Sequence, residues 1–179
     1  GFFDIPVDNL LGTSVLLPYF EKMVKAGDPE YAVVAPDFGS VARARKFAER
    51  LQLPMAIIDK RRDRPNQATA THVIGDVDGK IAVLVDDIID TAGTICAGAE
   101  VLLREGAREV YACATHGVLS GPALERLNNS VFTKVVVTDT IPSGERLDVC
   151  SKLQVVSVAS LLAKSIHNIH TGSSVSVLF

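Results

Sequence analysis

The sequence predicts an α/β fold with a mainly parallel sheet flanked by helices, and three observations support this prediction. Short apolar runs that are typical of buried strands recur along the chain. Segments with the apolar period of amphipathic helices lie between most of them. The 179 residues, of which 47% are hydrophobic, have the size and apolar content of a single domain with its own core. Strands and helices that alternate in this way form a parallel sheet, because each helix returns the chain to the same end of the sheet.

Six strands are predicted from apolar runs that are rich in β-branched residues. Their bounds are 31–36, 55–59, 81–85, 109–115, 134–138 and 153–158. The longest polar and irregular stretch, at 60–71, is long for a plain connection. We therefore expect a functional loop there.

Five helices are predicted from the apolar period of the remaining segments. Their bounds are 13–26, 41–51, 94–105, 122–127 and 159–166. The first has apolar residues at helical spacing, namely Leu16, Leu17, Phe20 and Val24. Gly106 follows the third helix, at a position where a glycine commonly ends a helix.

The composition excludes several classes of protein. The formal net charge of −3 argues against a broad nucleic-acid-binding surface. No run approaches the ~20 apolar residues of a membrane span, and the first residues lack the pattern of a signal peptide. Cys96, Cys113 and Cys150 have no metal-ligand spacing, which favours reduced thiols that pack in the core. We therefore expect a cytoplasmic protein that binds neither nucleic acid nor membranes.

The most informative segment is an apolar strand that ends in two adjacent carboxylates, Asp86 and Asp87. A loop of small and hydroxyl-bearing residues follows, and then an amphipathic helix whose first amides favour an anion such as a phosphate. Carboxylates at the strand end suit the vicinal hydroxyls of a sugar, so the segment has the outline of a ribose 5-phosphate site. The alternative is an acidic pair followed by an ordinary helix cap. Gly93 favours the site, because a glycine permits the close approach of a ligand.

A second strand–loop–helix segment has the same design. The predicted strand at 31–36 is followed by Asp37, Phe38, Gly39 and Ser40, and then by a basic helix. A glycine-containing loop at the start of a helix can bind an anion. Asp37 is suited to a hard cation such as Mg²⁺, which takes one or two carboxylates together with phosphate oxygens. The alternative is a helix N-cap formed by Asp37 or Ser40.

A basic loop follows the predicted strand at 55–59. Its cationic residues lie close together in the sequence, and they are Lys60, Arg61, Arg62 and Arg64. One interpretation is a solvated run of charge. The other is a cationic arm that closes over a polyphosphate and stabilises the charge that develops during group transfer.

These three segments resemble the corresponding segments of one family. Residues 83–94 resemble the phosphoribosyl pyrophosphate motif of the type I phosphoribosyltransferase fold. Together with the loops at 37–40 and 59–62, they resemble the ribose-phosphate pyrophosphokinases, also called phosphoribosyl pyrophosphate synthetases. Further similar segments occur in the same order along the chain, at 1–10, 116–123, 138–142 and 174–179.

The resemblance implies an activity and the residues that perform it. The family transfers the diphosphoryl group of ATP to the anomeric hydroxyl of ribose 5-phosphate in the presence of Mg²⁺, and AMP leaves. Lys60 would be the catalytic lysine, and Arg62 would assist it and touch the substrate. Asp37 would help to hold the metal ion.

The resemblance also implies three groups of binding residues. Ribose 5-phosphate would be bound by Arg62, Asp86, Asp87, Asp90, Thr91, Ala92, Gly93 and Thr94. The pyrophosphate loop would be Asp37, Phe38, Gly39 and Ser40, and Ser40 stands where many members have a second glycine. A regulatory phosphate or nucleoside-diphosphate site would lie near Asp8, Asn9, Ser174 and Ser176.

The sequence resembles only the C-terminal half of these enzymes. We therefore expect one C-terminal domain over 1–179, without the N-terminal ATP-binding half, that belongs to an enzyme but is inactive alone. Members of the family form dimers that assemble into hexamers, so a homo-oligomer is expected. Two alternatives stay open. One is a phosphoribosyltransferase, which uses the same sugar-phosphate loop, and the other is a non-catalytic, synthetase-associated regulatory subunit.

Overall fold

One sheet organises the chain in the computed structural model, which describes residues 2–25, 28, 30–61, 70–142, 144 and 146–179. In chain order its strands are β1 (Tyr31–Ala35), β2 (Met55–Arg61), β3 (Ala70–Ile74), β4 (Ile81–Ile89), β5 (Glu109–Gly117), β6 (Lys134–Thr138) and β7 (Leu153–Val156). They lie side by side in the order β3-β2-β1-β4-β5-β6-β7. Neighbouring strands are parallel except for β2 and β3, which are antiparallel. The predicted mainly parallel α/β fold is therefore confirmed.

Helices connect most of the strands and cover both faces of the sheet. They are α1 (Thr13–Glu21), α2 (Val41–Leu51), α3 (Gly93–Arg104), α4 (Ala123–Asn129), α5 (Arg146–Val149) and α6 (Ala159–His170), and a 3₁₀ turn at Ser176–Leu178 follows. None of the helices in the described ranges is long and apolar enough to cross a membrane. The prediction was wrong about the end of α1, which is Glu21 rather than residue 26, and about α6, which continues beyond residue 166.

Two strands continue further than their apolar runs predicted. β4 and β5 go on pairing after the apolar residues end, through Ile88 with His116 and Ile89 with Gly117. Asp86 and Asp87 therefore lie within β4 and not after it. The backbone bonds to the neighbouring strand fix the end of β4, whereas the prediction used only the hydropathy of its side chains.

Sequence reasoning missed β3 and α5. β3 lies at the edge of the sheet and runs antiparallel to the end of β2. In this pairing Ile57 lies opposite Ile74, and Arg61 lies opposite Ala70. The polar stretch predicted at 60–71 was therefore wrong at both ends, which belong to β2 and β3. The strand was missed because an edge strand does not need a buried apolar face, and Ile74 is half exposed. α5 has four residues, which is too short for an apolar period to appear.

The central strands are buried on both faces, as the near-continuous apolar runs predicted. Along β4, Ala82 and Leu84 face a core that α3 and α4 cover, and Val83 and Val85 face a core that α1 and α2 cover. In the second core the rings of Phe20 and Phe47 meet edge to face, with centroids 5.6 Å apart and planes at 76°. These contacts fix α1 and α2 against the sheet, and α2 carries part of the candidate site.

We predict that Phe47→Ala lowers the free energy of unfolding by about 3–5 kcal/mol, because Phe47 is fully buried and its removal leaves a cavity. Urea denaturation measures this change. Phe3→Ala is the matched control: Phe3 is 70% exposed, so its substitution should change stability by less than about 0.5 kcal/mol. Equal effects of the two substitutions would contradict the packing described above.

Candidate functional site

The acidic pair on β4 is held by an arginine from α2. Arg43 places Nη1 3.3 Å from Oδ1 of Asp86 and Nη2 2.9 Å from Oδ2 of Asp87. The side chain of Asp86 is only 21% exposed, whereas that of Asp87 is 56% exposed. One guanidinium therefore orients both carboxylates that the sequence singled out. Sequence reasoning missed Arg43, and the only signal was its place in a basic helix after the Asp37 loop.

Asp86 is the more enclosed of the two carboxylates and accepts several hydrogen bonds. Besides Arg43, its Oδ1 accepts from the Ser40 hydroxyl at 3.2 Å and from the Asp87 amide at 2.9 Å. Burial raises the pKa of Asp86 above its ordinary value, and the adjacent Asp87 carboxylate also raises it, while the Asp87 amide and the Ser40 hydroxyl oppose this shift. Burial alone would raise the pKa of Asp87 as well, but its contacts with Asp86 and Arg43 lower it overall. The two carboxylates therefore titrate as one pair.

The Asp37 loop closes on itself and contacts the acidic pair. Oδ1 of Asp37 accepts hydrogen bonds from the Ser40 amide at 2.9 Å and from the Ser40 hydroxyl at 3.0 Å. Ser40 is the N-cap residue of α2 and makes no capping bond with its own side chain. Asp37 accepts a hydrogen bond from the amide three residues further on, which is the spacing of a capping aspartate, so the alternative that Asp37 caps the start of α2 stays open. Phe38 and Gly39 are exposed at the tip of the loop.

The loop after β4 lines a depression of about 220 Å³. The residues around it are Asp86, Ile88, Ile89, Asp90, Thr91, Ala92, Gly93, Thr94 and Ile95. No side chain caps the N-terminus of α3, and the Cys96 amide donates to the Ala92 carbonyl at 3.1 Å, which is the first bond of the helix. The amides of the first turn are therefore available to a ligand. The structure thus brings together six of the predicted ribose 5-phosphate residues, and it places Asp87 on the other side of β4.

A second depression, of about 350 Å³, lies on the α2 side of β4. Asp87 lines it together with Gly39, Arg43, Lys46 and His116. The His116 ring is held by a hydrogen bond between Nδ1 and the Thr140 hydroxyl at 2.9 Å. The end of β4 therefore separates two concave surfaces, one lined by backbone amides and the other by cationic side chains.

Two side chains that sequence reasoning did not select hold the loop after β4. The Ser120 hydroxyl donates to Oδ1 of Asp90, and the Ser120 amide donates to the Asp90 carbonyl at 3.1 Å. Nη1 of Arg126, from α4, donates to the Thr91 carbonyl at 2.9 Å. A Cβ on Gly93 would lie 3.2 Å from the same Nη1. The glycine therefore makes room for Arg126, which the sequence alone did not indicate.

The predicted catalytic residues lie partly outside the described residues. Lys60 is near the end of β2, where it pairs with Thr71 of β3. Because β2 is next to β1, this end of the strand lies at the same edge of the sheet as the Asp37 loop. Arg62 lies outside the described residues.

The predicted regulatory residues come from two segments, and in the described part of the chain no hydrogen bond joins Asp8 or Asn9 to Ser174 or Ser176. Asp8 and Asn9 are exposed in the segment before α1. The hydroxyls of Ser174 and Ser176 are 2.7 Å apart and bond to each other. The two segments do approach, since Leu11, Leu178 and Phe179 line one depression of about 440 Å³.

The described residues fit a magnesium ion that is bound partly by a protein carboxylate and partly by phosphate oxygens. They contain no group of three or more histidine, cysteine or acidic side chains arranged to hold a metal by themselves. Mg²⁺ usually takes only one or two carboxylates and completes its shell with phosphate oxygens and water. Both described hydrogen bonds to Asp37 end on Oδ1, which leaves Oδ2 for a cation.

The fold and the loop after β4 define a domain of the phosphoribosyltransferase-like α/β class. Adenine phosphoribosyltransferase from Rhodothermus marinus superposes with a TM-score of 0.51 over 70% of this chain and 75% of that chain. The two sequences are 20% identical, so this likeness is one of fold. The family described as the phosphoribosyl synthetase-associated domain matches residues 61–179, and the chain belongs to that family.

Relatives of higher sequence identity are named ribose-phosphate pyrophosphokinase or phosphoribosylpyrophosphate synthetase. The chain is 58% identical, over its whole length, to the ribose-phosphate pyrophosphokinase of Caldanaerobacter subterraneus subsp. tengcongensis, and it covers 56% of that protein. The phosphoribosylpyrophosphate synthetase of Mycobacterium smegmatis superposes with a TM-score of 0.84 and 40% identity, over 96% of this chain and 55% of that chain. The chain therefore spans about half the length of the relatives that it matches.

We predict that neutralising Asp86 stabilises the folded chain at neutral pH. The raised pKa of Asp86 means that its ionised form destabilises the folded state above the folded pKa, and that this cost disappears below the unfolded pKa. Asp86→Asn should therefore raise the melting temperature at neutral pH, by an amount that shrinks as the pH falls towards the ordinary carboxyl value of 3.8. Thermal melts between neutral and acidic pH test this, and a lower melting temperature for Asp86→Asn at neutral pH would contradict the assignment.

We also predict that the effect of Gly93→Ala depends on Arg126. Gly93 is the first residue of α3, and in the wild-type chain a new Cβ there would lie 3.2 Å from Nη1 of Arg126, which displaces the guanidinium slightly from the Thr91 carbonyl. In the Arg126→Ala background that displacement cannot occur, so Gly93→Ala should be more favourable there by about 1 kcal/mol. Urea denaturation of the four proteins of this double-mutant cycle measures the difference. Identical effects in the two backgrounds would show that Arg126 does not require the glycine.

Proposed function

We propose that this chain is the ribose 5-phosphate-binding half of a ribose-phosphate diphosphokinase, which transfers the diphosphoryl group of ATP to ribose 5-phosphate and yields phosphoribosyl pyrophosphate and AMP. The observation that carries the proposal is the depression after β4, which has the Asp86 carboxylate at one end and the uncapped amides of α3 at the other. A sugar diol matches the first end, and a phosphate matches the second. The name shared by the relatives, which are transferases of nucleotide biosynthesis, supports the same substrate.

The two ends of the depression would bind different parts of the substrate. Asp86 would accept hydrogen bonds from the ribose hydroxyls at one end, Asp87 would accept from them across the end of β4, and Arg43 would keep the oxygens of both in place. The loop of Asp90, Thr91, Ala92, Gly93 and Thr94 would surround the 5-phosphate, with its amides as donors. Ser120 and Arg126 hold this loop in advance of binding, which reduces the cost of ordering it.

The chemistry would take place on the α2 side of β4. Diphosphoryl transfer depends mainly on positioning and on stabilising charge, and it needs little covalent chemistry from the protein. The loop of Asp37, Phe38, Gly39 and Ser40 would bind the diphosphate, and Lys60 and Arg62 would stabilise the charge that develops on it. Asp37 would hold Mg²⁺, which when bound neutralises phosphate charge and orients the transferred group.

The activity would need more than these residues. The chain spans about half of its relatives, and we propose that it acts as one C-terminal domain that receives ATP from an N-terminal half and is inactive alone. Exposed apolar residues support contacts with such a half or with further copies in a homo-oligomer, and they include Phe2, Phe3, Ile166 and Ile169. A phosphate or nucleoside diphosphate bound near Asp8, Asn9, Ser174 and Ser176 would regulate the enzyme, which we propose is cytoplasmic.

The experiment that tests the proposal is a ³¹P NMR titration of ribose 5-phosphate with this chain. We predict a perturbed phosphate resonance with the wild-type chain and a loss of at least about tenfold in affinity for Asp90→Ala, because Asp90 anchors the loop to Ser120. Asp76→Ala is the matched control. Asp76 is an exposed aspartate that pairs with Lys80 before the start of β4, at the opposite edge of the sheet.

Each outcome has a definite meaning. Binding that survives Asp76→Ala and is lost in Asp90→Ala supports the proposed site. No perturbation with the wild-type chain at millimolar ligand rejects it. Addition of Mg²⁺ and ATP then tests the division of labour: formation of AMP by this chain would show that it is complete for catalysis and that the part of the proposal concerning a second half is wrong.

A further inference from the structure

Ser40 is a buried polar side chain that joins the Asp37 loop to β4 in the proposed site. It is 3% exposed, and it stands at the start of α2 with φ −87° and ψ −6°, a conformation that any residue adopts. Its amide already closes the Asp37 loop by donating to Oδ1 of Asp37. The hydroxyl is therefore not needed to form the turn, and its role must be sought in what it contacts.

The Ser40 hydroxyl contacts carboxylates that come from two adjacent strands. Oγ is 3.0 Å from Oδ1 of Asp37, which follows β1, and 3.2 Å from Oδ1 of Asp86, on β4. A hydroxyl carries one proton, so it can donate fully to only one of these oxygens at a time. The hydrogen bond that one carboxylate receives therefore depends on the state of the other.

We propose that Ser40 is a positioning residue that couples the cation side of the site to the ribose side. The inference rests on the proposed function, in which Asp37 holds Mg²⁺ and Asp86 accepts from the ribose. A cation bound to Asp37 makes the carboxylate oxygens of Asp37 weaker hydrogen-bond acceptors. The Ser40 hydroxyl then donates to Asp86 and orients the Asp86 carboxylate. Mg²⁺ and ribose 5-phosphate then each bind more tightly when the other is present, because coupling between two sites is reciprocal.

The other contacts of Asp86 are compatible with a coupling between Mg²⁺ and ribose 5-phosphate. Arg43 and the Asp87 amide hold Asp86 whether or not a cation is bound, since neither contacts Asp37 in the described residues. Ser40 is the hydrogen-bonding group shared by the two carboxylates among these contacts. Its removal should therefore weaken the coupling more than it weakens either binding event.

The test measures the affinity for ribose 5-phosphate by ³¹P NMR, without Mg²⁺ and with saturating Mg²⁺ and no other ligand. In the wild-type chain we expect Mg²⁺ to tighten binding about fivefold, as one hydrogen bond of ordinary strength would. In Ser40→Ala and in Ser40→Cys, which keeps the volume but is a weak donor, the ratio should fall to about one while ribose 5-phosphate still binds. The matched control is Ser165→Ala, since Ser165 is also 3% exposed but its hydroxyl donates to the Leu161 carbonyl within α6.

The outcomes separate this inference from the proposed function. A ratio that is unchanged in both Ser40 variants, or a wild-type affinity that Mg²⁺ does not alter, overturns the coupling and leaves the ribose 5-phosphate site standing. An equal loss of the ratio in Ser165→Ala would show that the effect is one of general stability, and it would also overturn the coupling. A wild-type chain that binds no ribose 5-phosphate rejects both proposals together.

Discussion

The unequal lengths of neighbouring strands are the constraint on which the site depends. β1 pairs with β4 up to Val34 and Leu84, whereas β5 continues to pair with β4 up to Ile89 and Gly117. Beyond Leu84, β4 therefore has a partner strand on one side only. The space on the other side is filled by the Asp37 loop and the first turns of α2, from which Ser40 and Arg43 reach Asp86. Asp86 and Asp87 therefore lie beside the polar side chains of the Asp37 loop and α2, while the backbone of β4 remains hydrogen-bonded to β5.

The electrostatics of this edge follow from the same arrangement. Three carboxylates meet there, those of Asp37, Asp86 and Asp87, and one guanidinium and one hydroxyl hold them together. The burial of Asp86 opposes its ionisation, so keeping this carboxylate charged lowers the stability of the folded protein. Such a cost is common where a site is organised for a ligand, because groups placed for binding are not placed for stability.

The sequence predicted most of the sheet and the loops of the site, and it failed where contacts between distant segments decide the structure. The apolar runs located β1, β6 and the central strands, because strands buried on both faces must be apolar throughout. β3 and the polar end of β4 escaped prediction because their pairing is set by neighbouring strands. Arg43 and Arg126 escaped it for a related reason: an arginine on an exposed helix surface looks the same in sequence whether it is solvated or holds a loop.

The conformation of the loop after β4 also depends on contacts with residues that are distant in the sequence. The residue in the left-handed region is Ala92, with φ 60°, and not the neighbouring Gly93. An alanine in that region is strained, and such strain persists only where the surroundings hold it. Here Arg126 holds the Thr91 carbonyl on one side, and Ser120 holds Asp90 on the other. The glycine leaves room for the arginine, since a Cβ at Gly93 would lie 3.2 Å from Nη1 of Arg126, and the arginine holds the carbonyl that precedes the strained residue. The shape of the proposed phosphate site is therefore set by α4 and by the loop after β5, before any ligand binds.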